Sequence, residues 1–274
     1  MDDKFLPKIT FPEFQDIRVQ EAIKEVENQG LIQAIYPTDE CNTLGCPDKG
    51  KLELYNSAIT QIEDNHADAM IAGACYPKKI IINEIIGHKK TKLAGRLFTI
   101  APLKLDIFPN KYIYMLDPII KMKKTAFSLR GVVKSAISTF ESIEGRAPRV
   151  ALITNNEYEE DSEEIFREFN SKFGDEFREY LYPSPVQLDV ALDSKIRLYK
   201  LNVSMEDADI LVFDDLTCAN VFYKSVALQR NSTCGTLMRG MSKGIYGLVS
   251  RGADKDELVR LIKIIAENCK ALKE

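Results

Sequence analysis

Histidine is scarce in this sequence, with His66 and His88 the only two among 274 residues. A metal site built from several histidines, or acid–base catalysis by a pair of histidines, is therefore nearly excluded. Both residues are expected at the surface or in packing. The chemistry of the chain must then come mainly from carboxylates, arginine, serine or a thiol.

Long apolar runs are also missing, and the N-terminus is charged from its second residue, without the apolar segment of a secretory signal. The longest apolar stretches, such as 80–82 and 210–213, fall far below the ~20 residues that a membrane-spanning helix needs. We therefore expect a cytoplasmic protein without a membrane partner.

A global basic field is absent as well, because 37 lysines and arginines stand against 41 aspartates and glutamates, for a net charge of −4. This balance disfavours nucleic acid as the main partner. The six cysteines are scattered, and no second ligand pair at zinc-finger spacing follows Cys41 and Cys46. We expect reduced thiols, with Cys41 and Cys46 free in one loop and Cys218 lining a pocket without acting as a nucleophile.

Hydrophobic periodicity in the rest of the sequence predicts short buried strands that alternate with amphipathic helices. Strands are expected at 31–36, 68–74, 97–100, 112–116, 149–154 and 209–213. Helices are expected at 16–29, 52–65, 129–141, 163–173, 219–228 and 256–272. This alternation is typical of an α/β fold with a largely parallel sheet. Such sheets bind ligands at the carboxyl ends of strands, so the first candidates are the turn at Gly73 and the loops after Phe213 and Val249.

A polar cluster follows the predicted strand at 209–213 and enters the next helix. In a structural interpretation, Asp215 or Thr217 caps that helix. In a functional interpretation, free N–H groups at the helix start, with Asn220 and Lys224 behind them, hold an anionic group. The residues alone leave both interpretations open.

A second cluster follows the predicted strand that ends at Val249, where Ser250–Gly252 precede acidic residues at the entry of the last helix. Acidic residues in a first helical turn usually complement the helix dipole, which accounts for Asp254, Asp256 and Glu257 without a catalytic role. The arginine beside the serine points instead to phosphate, because a guanidinium binds phosphate through paired donors.

Five motifs occur in a fixed order over most of the chain. Pro12–Ala22 fits P-E-x-x-D-x-R-V-x-E-A, and Ala67–Ala74 is similar to A-D-x-x-V-x-G-A. Val186–Leu192 fits x-Q-x-D-x-A-L, and Ala208–Lys224 is similar to A-N-x-L-x-F-P-D-L-x-A-G-N-x-x-Y-K. Gly235–Gly252 is similar to G-P-x-x-x-G-x-x-K-P-x-x-x-x-S-R-G. Through these motifs the sequence resembles the phosphate acetyltransferase/phosphate butyryltransferase family.

The resemblance implies an α/β protein of two α/β/α domains with mostly parallel sheets, isocitrate/isopropylmalate dehydrogenase-like, with a cleft between them. The first domain would consist of residues 1–124 and 246–274, and the second of residues 125–245. The resemblance also implies a homodimer that exchanges a short acyl group, such as acetyl or butyryl, between coenzyme A and inorganic phosphate. Coenzyme A is then a substrate, and neither a metal nor another cofactor is required.

The resemblance further implies roles for individual residues. Ser250 and Arg251 fall on the serine of the last motif and on its substrate-polarising arginine. The base of the family is an aspartate in the helix after Ser-Arg-Gly, where this chain has Glu257 with Asp256 beside it. The expected substrate contacts are Asn220, Lys224, Tyr223, Asp215, Gly73 and Lys79.

The sequence departs from the family in two loops that are expected to meet substrate. The segment after Ala74 is shortened, and an acidic stretch at 155–160 replaces hydroxyls and a lysine. The main hypothesis is an active phosphate acyltransferase. The alternative is a catalytically reduced relative that binds coenzyme A or an acyl phosphate in a regulatory role. A third option takes the acyl group from acyl carrier protein, although the glycine- and aspartate-rich opening of such enzymes is missing.

Overall fold

A computed structural model of the chain describes residues 5–38, 47–108, 110–120, 125–155, 163–229 and 232–273. The chain forms two compact units, one of residues 1–97 with 234–274 and one of residues 98–233. Each unit combines parallel strand pairs with helices, which confirms the predicted α/β class and its mostly parallel sheets.

The helices and strands follow one another along most of the chain. The strands are β1 (Lys8–Thr10), β2 (Gln33–Ile35), β3 (Ala69–Ala72), β4 (Leu93–Leu103), β5 (Ile113–Leu116), β6 (Val150–Ile153), β7 (Ile210–Phe213), β8 (Thr236–Met241) and β9 (Ile245–Leu248). The helices are α1 (Ile17–Asn28), α2 (Pro47–Glu63), α3 (Lys78–Gly87), α4 (Ala126–Glu144), α5 (Glu164–Phe173), α6 (Leu188–Leu192), α7 (Ser194–Leu201), α8 (Leu216–Ala227) and α9 (Lys255–Ala271). Of the helices described here, none has both the length and the apolarity needed to cross a membrane.

In the first unit, the strands lie in the order β2, β1, β3, β9 and β8, with the first part of β4 next to β8. The pairs β1–β2, β1–β3 and β3–β9 are parallel, and β8–β9 is antiparallel. Helix α1 packs against α9 and buries Val19, Ala22, Ile23 and Val26, at the helical spacing that the sequence predicts. The carboxyl ends of β1, β3 and β9 therefore meet at one edge of this part of the sheet.

In the second unit, the strands lie in the order β4, β5, β7 and β6. The pairs β5–β7 and β6–β7 are parallel, and β4–β5 is antiparallel. Every residue of β5, β6 and β7 is buried, as expected of strands that are covered on both faces. The loops that follow these three strands share one edge, so polar residues just beyond Phe213 lie beside those beyond Leu116.

The structure also contains elements that the hydrophobic pattern does not reveal, namely β1, β8, α3, α6 and α7. The division between the two compact units falls at 97 and 233, whereas the sequence-based division lies at 124 and 245. Strand β8 accounts for the second difference, because its pairing with β9, with Thr236 opposite Leu248, attaches it to the first unit. The first difference arises because β4 is a long strand with residues in both units.

Candidate functional site

Two strand ends come into direct contact in the first unit. Strands β3 and β9 pair with Ala72 opposite Leu248, and the amide of Val249 donates to the carbonyl of Ala72 at 2.9 Å. Gly73 has a φ of +110°, and a Cβ added to it would lie 2.4 Å from the carbonyl oxygen of Val249. Glycine is required here, because any side chain would collide with the neighbouring backbone. The turn after β3 is thereby held against the turn after β9.

The amides of the Gly73 turn are bound to a carboxylate of the chain itself. Glu13, which is 6% exposed, accepts hydrogen bonds from the successive amides of Gly73–Tyr76 at 2.7–3.2 Å. The hydroxyl of Tyr55 donates to the same carboxylate. Successive amides in a turn form a concave site for an anion. Glu13 fills this site and binds the amide of Gly73, so a contact between Gly73 and substrate, which stays a prediction, would have to use another part of the residue.

A single guanidinium joins both turns. Arg18 lies at the start of α1, and its Nε and Nη2 atoms donate to the two oxygens of the N-cap residue Asp16 at 3.0 and 2.7 Å. The Nη2 atom also donates to the carbonyl of Ala74 at 2.9 Å. The Nη1 atom donates to the carbonyls of Arg251 at 2.9 Å and Ala253 at 2.8 Å. All five N–H groups of Arg18 are thus engaged, and its hydrogen bonds lower the pKa of Asp16 below the ordinary value.

The predicted serine and arginine lie in the turn that Arg18 holds. The amide of Ala253 donates to the carbonyl of Ser250 at 2.9 Å, which closes a turn around Arg251 and Gly252. Ser250 is half-buried and Arg251 is exposed. Within the described part of the chain, neither the Ser250 hydroxyl nor the Arg251 guanidinium has a hydrogen-bond or ion-pair partner. Both groups are therefore available to a ligand.

The acidic residues at the start of α9 have different surroundings. Asp254 is the N-cap, and its carboxylate accepts the amide of Glu257 at 2.7 Å. The Asp256 side chain is 63% exposed and lies 3.6 Å from the ammonium of Lys255. Glu257 is half-buried and shares a helix face with the fully buried Leu261, one turn further along α9. Of the two candidate bases, Glu257 is the one that lies on the packed side of the helix.

The thiols nearest to these clusters are not activated. Partial burial and the carboxylates of Glu13 and Asp16 raise the pKa of Cys75 to about 11. Partial burial and the charge of Asp215 also raise the pKa of Cys218. A thiol with a raised pKa is largely protonated at neutral pH and is a poor nucleophile, which agrees with the prediction for Cys218.

Lys79 is the remaining predicted contact in the first unit. It lies in the first turn of α3, shortly after the Gly73 turn, and its side chain is exposed. Its ammonium forms no ion pair with any carboxylate of the described residues. A contact between Lys79 and substrate stays a prediction.

Two other predictions concern the chain outside the described residues. Cys41 and Cys46 both lie there, and of the acidic stretch at 155–160 only Asn155 is described. Across the described ranges, no group of three or more histidine, cysteine, aspartate or glutamate side chains could hold a metal ion.

In the second unit, polar side chains at the strand ends bind nearby backbone. Asp215 caps α8 by accepting the amides of Thr217 at 2.7 Å and Cys218 at 3.1 Å, which confirms the capping interpretation. Two N–H groups that the functional interpretation assigned to an anion are therefore occupied. The side-chain amide of Asn220 donates to the carbonyl of Pro118 at 2.8 Å and ties α8 to the loop after β5.

The two other predicted residues of α8 differ in exposure. Tyr223 is 1% exposed and packs in the hydrophobic core of the second unit, and a contact between Tyr223 and substrate stays a prediction. Lys224 is exposed, with its ammonium 5.6 Å from the centroid of the Tyr223 ring. No carboxylate described in this unit forms an ion pair with Lys224. Lys224 is thus a cation that a ligand can reach.

Residues 49–266, more than three quarters of the chain, match the family model described as phosphate acetyl/butaryl transferase. The chain belongs to the phosphate acetyl/butyryl transferase family. The resemblance to this family is confirmed, and the matched residues include four of the five sequence motifs.

Relatives of this transferase family member carry the name phosphate acetyltransferase. The chain is 25% identical over 214 residues to that of Buchnera aphidicola subsp. Acyrthosiphon pisum, and 23% identical over 217 residues to that of Thermoanaerobacterium thermosaccharolyticum. The alignments cover 74% and 75% of this chain, but 29% and 65% of the relatives. The chain therefore spans less than two thirds of the length of these relatives.

A solved structure shows the same fold. A branched-chain phosphotransacylase from Enterococcus faecalis V583 superposes with a TM-score of 0.77 at 16% identity, covering 96% of this chain and 99% of that one. At such low identity the likeness concerns the fold alone. It agrees with the α/β architecture expected of the transferase family.

The first of the five sequence motifs, Pro12–Ala22, supplies the side chains that hold the turns after β3 and β9. Glu13, Asp16 and Arg18 are the acidic and basic residues of P-E-x-x-D-x-R, and none of them is among the residues for which the sequence predicts a role. Asp16 directly before an amphipathic helix was a visible capping signal. The destinations of Glu13 and Arg18 were not visible, because their partners at Gly73–Tyr76, Arg251 and Ala253 are distant in sequence.

Asp209, in the fourth motif of the transferase family, is another residue without an assigned role. Its side chain is 2% exposed and accepts both Nη atoms of Arg146 at 2.7 and 2.9 Å and the amide of Arg149 at 2.9 Å. Burial opposes its ionisation, yet the hydrogen bonds from Arg146 and from the Arg149 amide keep the pKa of Asp209 below its ordinary value. Asp209 therefore anchors the start of β7 to the segment after α4.

Proposed function

We propose that this chain is a phosphate acyltransferase, which exchanges a short acyl group such as acetyl or butyryl between coenzyme A and inorganic phosphate. The observation that carries the proposal is the Ser250–Arg251 pair, whose side-chain polar groups have no partner among the described residues and lie in a turn that Arg18 holds in place. Membership of the transferase family supports this reaction class. Coenzyme A enters as a substrate, so the proposal requires no resident cofactor.

The chemistry suits these two side chains. The sulfur of coenzyme A, as thiolate, attacks the carbonyl carbon of an acyl phosphate, the C–S bond forms, and the C–O bond to phosphate breaks. Phosphate leaves with the electron pair, and the opposite direction reverses each step. Arg251 carries paired donors for phosphate oxygens, and the Ser250 hydroxyl can donate to the carbonyl oxygen as negative charge develops there.

The thiol of coenzyme A must lose its proton before it attacks, since a free thiol has a pKa of ~8.5. We assign Glu257 as the acceptor of that proton. Its half-buried position on the packed side of α9, in the first turn after the Ser250–Arg251 turn, supports this choice over the exposed Asp256. A positioned carboxylate of this kind typically contributes 10²- to 10⁴-fold, on the order of other general bases.

Substrate binding and assembly complete the proposal. We assign Lys224 and Lys79, two exposed cations, to phosphate groups of the substrates, where an ammonium acts as a point charge. Asp215 holds the backbone at the start of α8, and Asn220 ties α8 to the loop after β5. The proposed assembly is a homodimer, which light scattering after size-exclusion chromatography measures directly.

A coupled assay tests the function. Thiol release from acetyl-, butyryl- and branched short-chain acyl-coenzyme A with phosphate is measured for the wild type, Arg251→Ala and the control Arg178→Ala. Arg178 pairs with Asp175 on the surface of the second unit at 2.5 Å, so its loss should leave turnover unchanged. Arg251→Ala should lower kcat by about 100-fold or more, as for other fixed donors to charge that develops in a transition state, here on the leaving phosphate.

The same assay separates the alternatives. A wild type that turns over no acyl-coenzyme A above the Arg251→Ala level overturns the proposal. Calorimetric binding of coenzyme A without turnover then identifies the catalytically reduced relative. Turnover with an acyl group carried on acyl carrier protein, but not with acyl-coenzyme A, identifies the enzyme that takes its acyl group from acyl carrier protein.

A further inference from the structure

We infer that Arg18 is a positioning residue for the proposed transfer, acting through the main chain of the turn that carries Ser250 and Arg251. The inference rests on the proposed function, because it assigns the effect of Arg18 to the reaction that Arg251 supports. Arg18 itself has no N–H group left for a substrate, since each of them is already bound within the protein.

The bonds of Arg18 constrain the main chain on both sides of Gly252. The carbonyls of Arg251 and Ala253 accept from the same Nη1 atom at 2.9 and 2.8 Å, so the orientations of both peptide groups are restricted. Gly252 itself has no heavy atom within 4 Å of an added Cβ, so side-chain packing does not hold this part of the turn. The hydrogen bond from the Ala253 amide to the Ser250 carbonyl spans the turn. Without Arg18, this bond alone would leave the carbonyls of Arg251 and Ala253 free to rotate.

The guanidinium is itself held in one orientation. Both oxygens of Asp16 accept from Arg18, and an Asp16 oxygen also accepts the Arg18 amide at 2.9 Å, so the pair is built into the start of α1. The third segment is the Gly73 turn, through the carbonyl of Ala74 at 2.9 Å, and that turn is fixed by the carboxylate of Glu13. Arg18 thereby transmits the rigidity of α1 and of the Gly73 turn to the turn of Ser250 and Arg251.

The surroundings of the two positive charges support a structural role for Arg18 and a ligand-binding role for Arg251. Asp16 neutralises Arg18, and the hydrogen bond between them raises the pKa of Arg18 and lowers that of Asp16. Arg251 has no carboxylate partner among the described residues, so its positive charge is available to phosphate. Arg18 therefore has a structural role and the Arg251 side chain is available to a ligand, although Arg18 donates a hydrogen bond to the Arg251 carbonyl.

A lysine cannot reproduce this arrangement, because an ammonium has three donors and no planar fork. We expect Arg18→Lys to lower kcat by about 10- to 100-fold with KM changed by less than about threefold, since misplacement of a reacting group by ~1 Å has costs of this order. The control Arg130→Lys alters an exposed arginine that also makes a paired bond, to Glu176 at 2.5 and 2.8 Å, and should leave kcat unchanged.

A double-mutant cycle separates positioning from general damage. If Arg18 acts through Arg251, Arg18→Lys should change the residual kcat of Arg251→Ala by less than about twofold. Multiplicative losses would overturn the inference, because a merely structural defect lowers both backgrounds equally. Asp16→Asn, which removes charge from the partner of Arg18, is the second variant if Arg18→Lys does not fold.

Hydrogen exchange provides a readout that does not depend on turnover. Arg18→Lys should speed the exchange of amides 250–254 and 73–76, while those of the Arg130→Lys control match the wild type. Unchanged exchange in both segments, or faster exchange with an unchanged kcat, overturns the inference. A wild type without turnover overturns the proposed function and the kinetic role of Arg18 together, and exchange then decides only whether Arg18 holds the turn.

Discussion

The strand ends of the two units differ in which polar side chains they leave available to a ligand. In the first unit, Arg18 and Glu13 bind the backbone of two turns, and Ser250 and Arg251 are left without described partners. In the second unit, Asp215 and Asn220 use their own side chains to hold the backbone. The carboxyl ends of the strands thus carry side chains that are available to a ligand in the first unit, and a loop that binds its own backbone in the second.

The comparison teaches that position at a carboxyl strand end does not by itself make a side chain available to ligand. A polar side chain near several unsatisfied backbone N–H groups binds those groups in preference to a ligand. Each buried N–H group left without a partner costs about 1–3 kcal/mol. Residues such as Ser250 and Arg251 stay available where other side chains satisfy the turn. We therefore expect substitutions of Ser250 or Arg251 to change turnover, and substitutions of Asp209 or Asp215 in the second unit to change stability.

The largest expected effect concerns the proposed base. Glu257→Gln keeps the shape of the side chain but cannot accept the thiol proton, so kcat should fall by about 10²- to 10⁴-fold with little change in melting temperature. The matched control Asp256→Asn, one residue away on the exposed face of α9, should retain kcat within about twofold. Steady-state kinetics and thermal unfolding measure both.

The opposite ranking of the two variants would assign the base to Asp256. A large drop in melting temperature for Glu257→Gln would contradict the proposed difference between the two units, because Glu257 would then stabilise the fold as Asp209 and Asp215 do.

The next effect concerns stability in the second unit. Asp209→Asn should lower the free energy of unfolding by about 2–3 kcal/mol, since the paired bonds from Arg146 lose a buried acceptor charge. Arg146 reaches solvent, which keeps the loss below that of a fully buried pair. Urea unfolding measures the change, and kcat should stay near the wild-type value.

Asp209 also predicts a pH dependence of definite sign. Its pKa is held below the ordinary value of 3.8, so its stabilisation is fully present above pH ~4 and is lost as the pH falls through the folded-state pKa. The difference in unfolding free energy between wild type and Asp209→Asn should therefore be constant from pH 7 to 5 and shrink below pH ~4. A difference that persists to pH 2 would contradict the lowered pKa.

Two neighbours on α8 sharpen the comparison further. Asp215→Ala removes a helix cap and should lower the unfolding free energy by about 1 kcal/mol. Lys224→Ala removes an exposed cation and should leave stability unchanged, while KM for coenzyme A rises about threefold, as expected for loss of one solvent-screened charge. An unaltered KM in Lys224→Ala would remove Lys224 from the proposed binding residues.

The smallest expected effect is that of the thiol beside the first cluster. Because the pKa of Cys75 is raised to about 11, its alkylation by iodoacetamide at pH 8 should be on the order of 100-fold slower than that of a free cysteine. Peptide mass spectrometry follows this site separately from the other cysteines. Cys75→Ala should leave kcat within about twofold, and a large loss would give the thiol a role that its raised pKa does not support.

The fold was largely predictable where burial is periodic along the chain. Helix α1, with Asp16 before it and Gly30 after it, and the fully apolar strand β7 follow directly from spacing and capping residues. Strand β1 was missed because three residues carry too little periodicity to separate a strand from a loop. Tyr223 was placed with the substrate contacts because its motif position is visible in sequence, whereas its burial in the core is not.

By itself, the sequence determined the α/β class, the order of the family motifs, and the position of Ser250 and Arg251 just beyond a strand. These are local properties, since hydrophobic period and cap chemistry depend on residues a few positions apart. The tertiary structure decided that the Glu13 carboxylate binds the amides of the Gly73 turn and that the Arg18 guanidinium binds the carbonyls of the turn that contains Arg251. Those bonds join residues 60 and 233 positions apart, and they exist because β3 lies between β1 and β9 in the sheet.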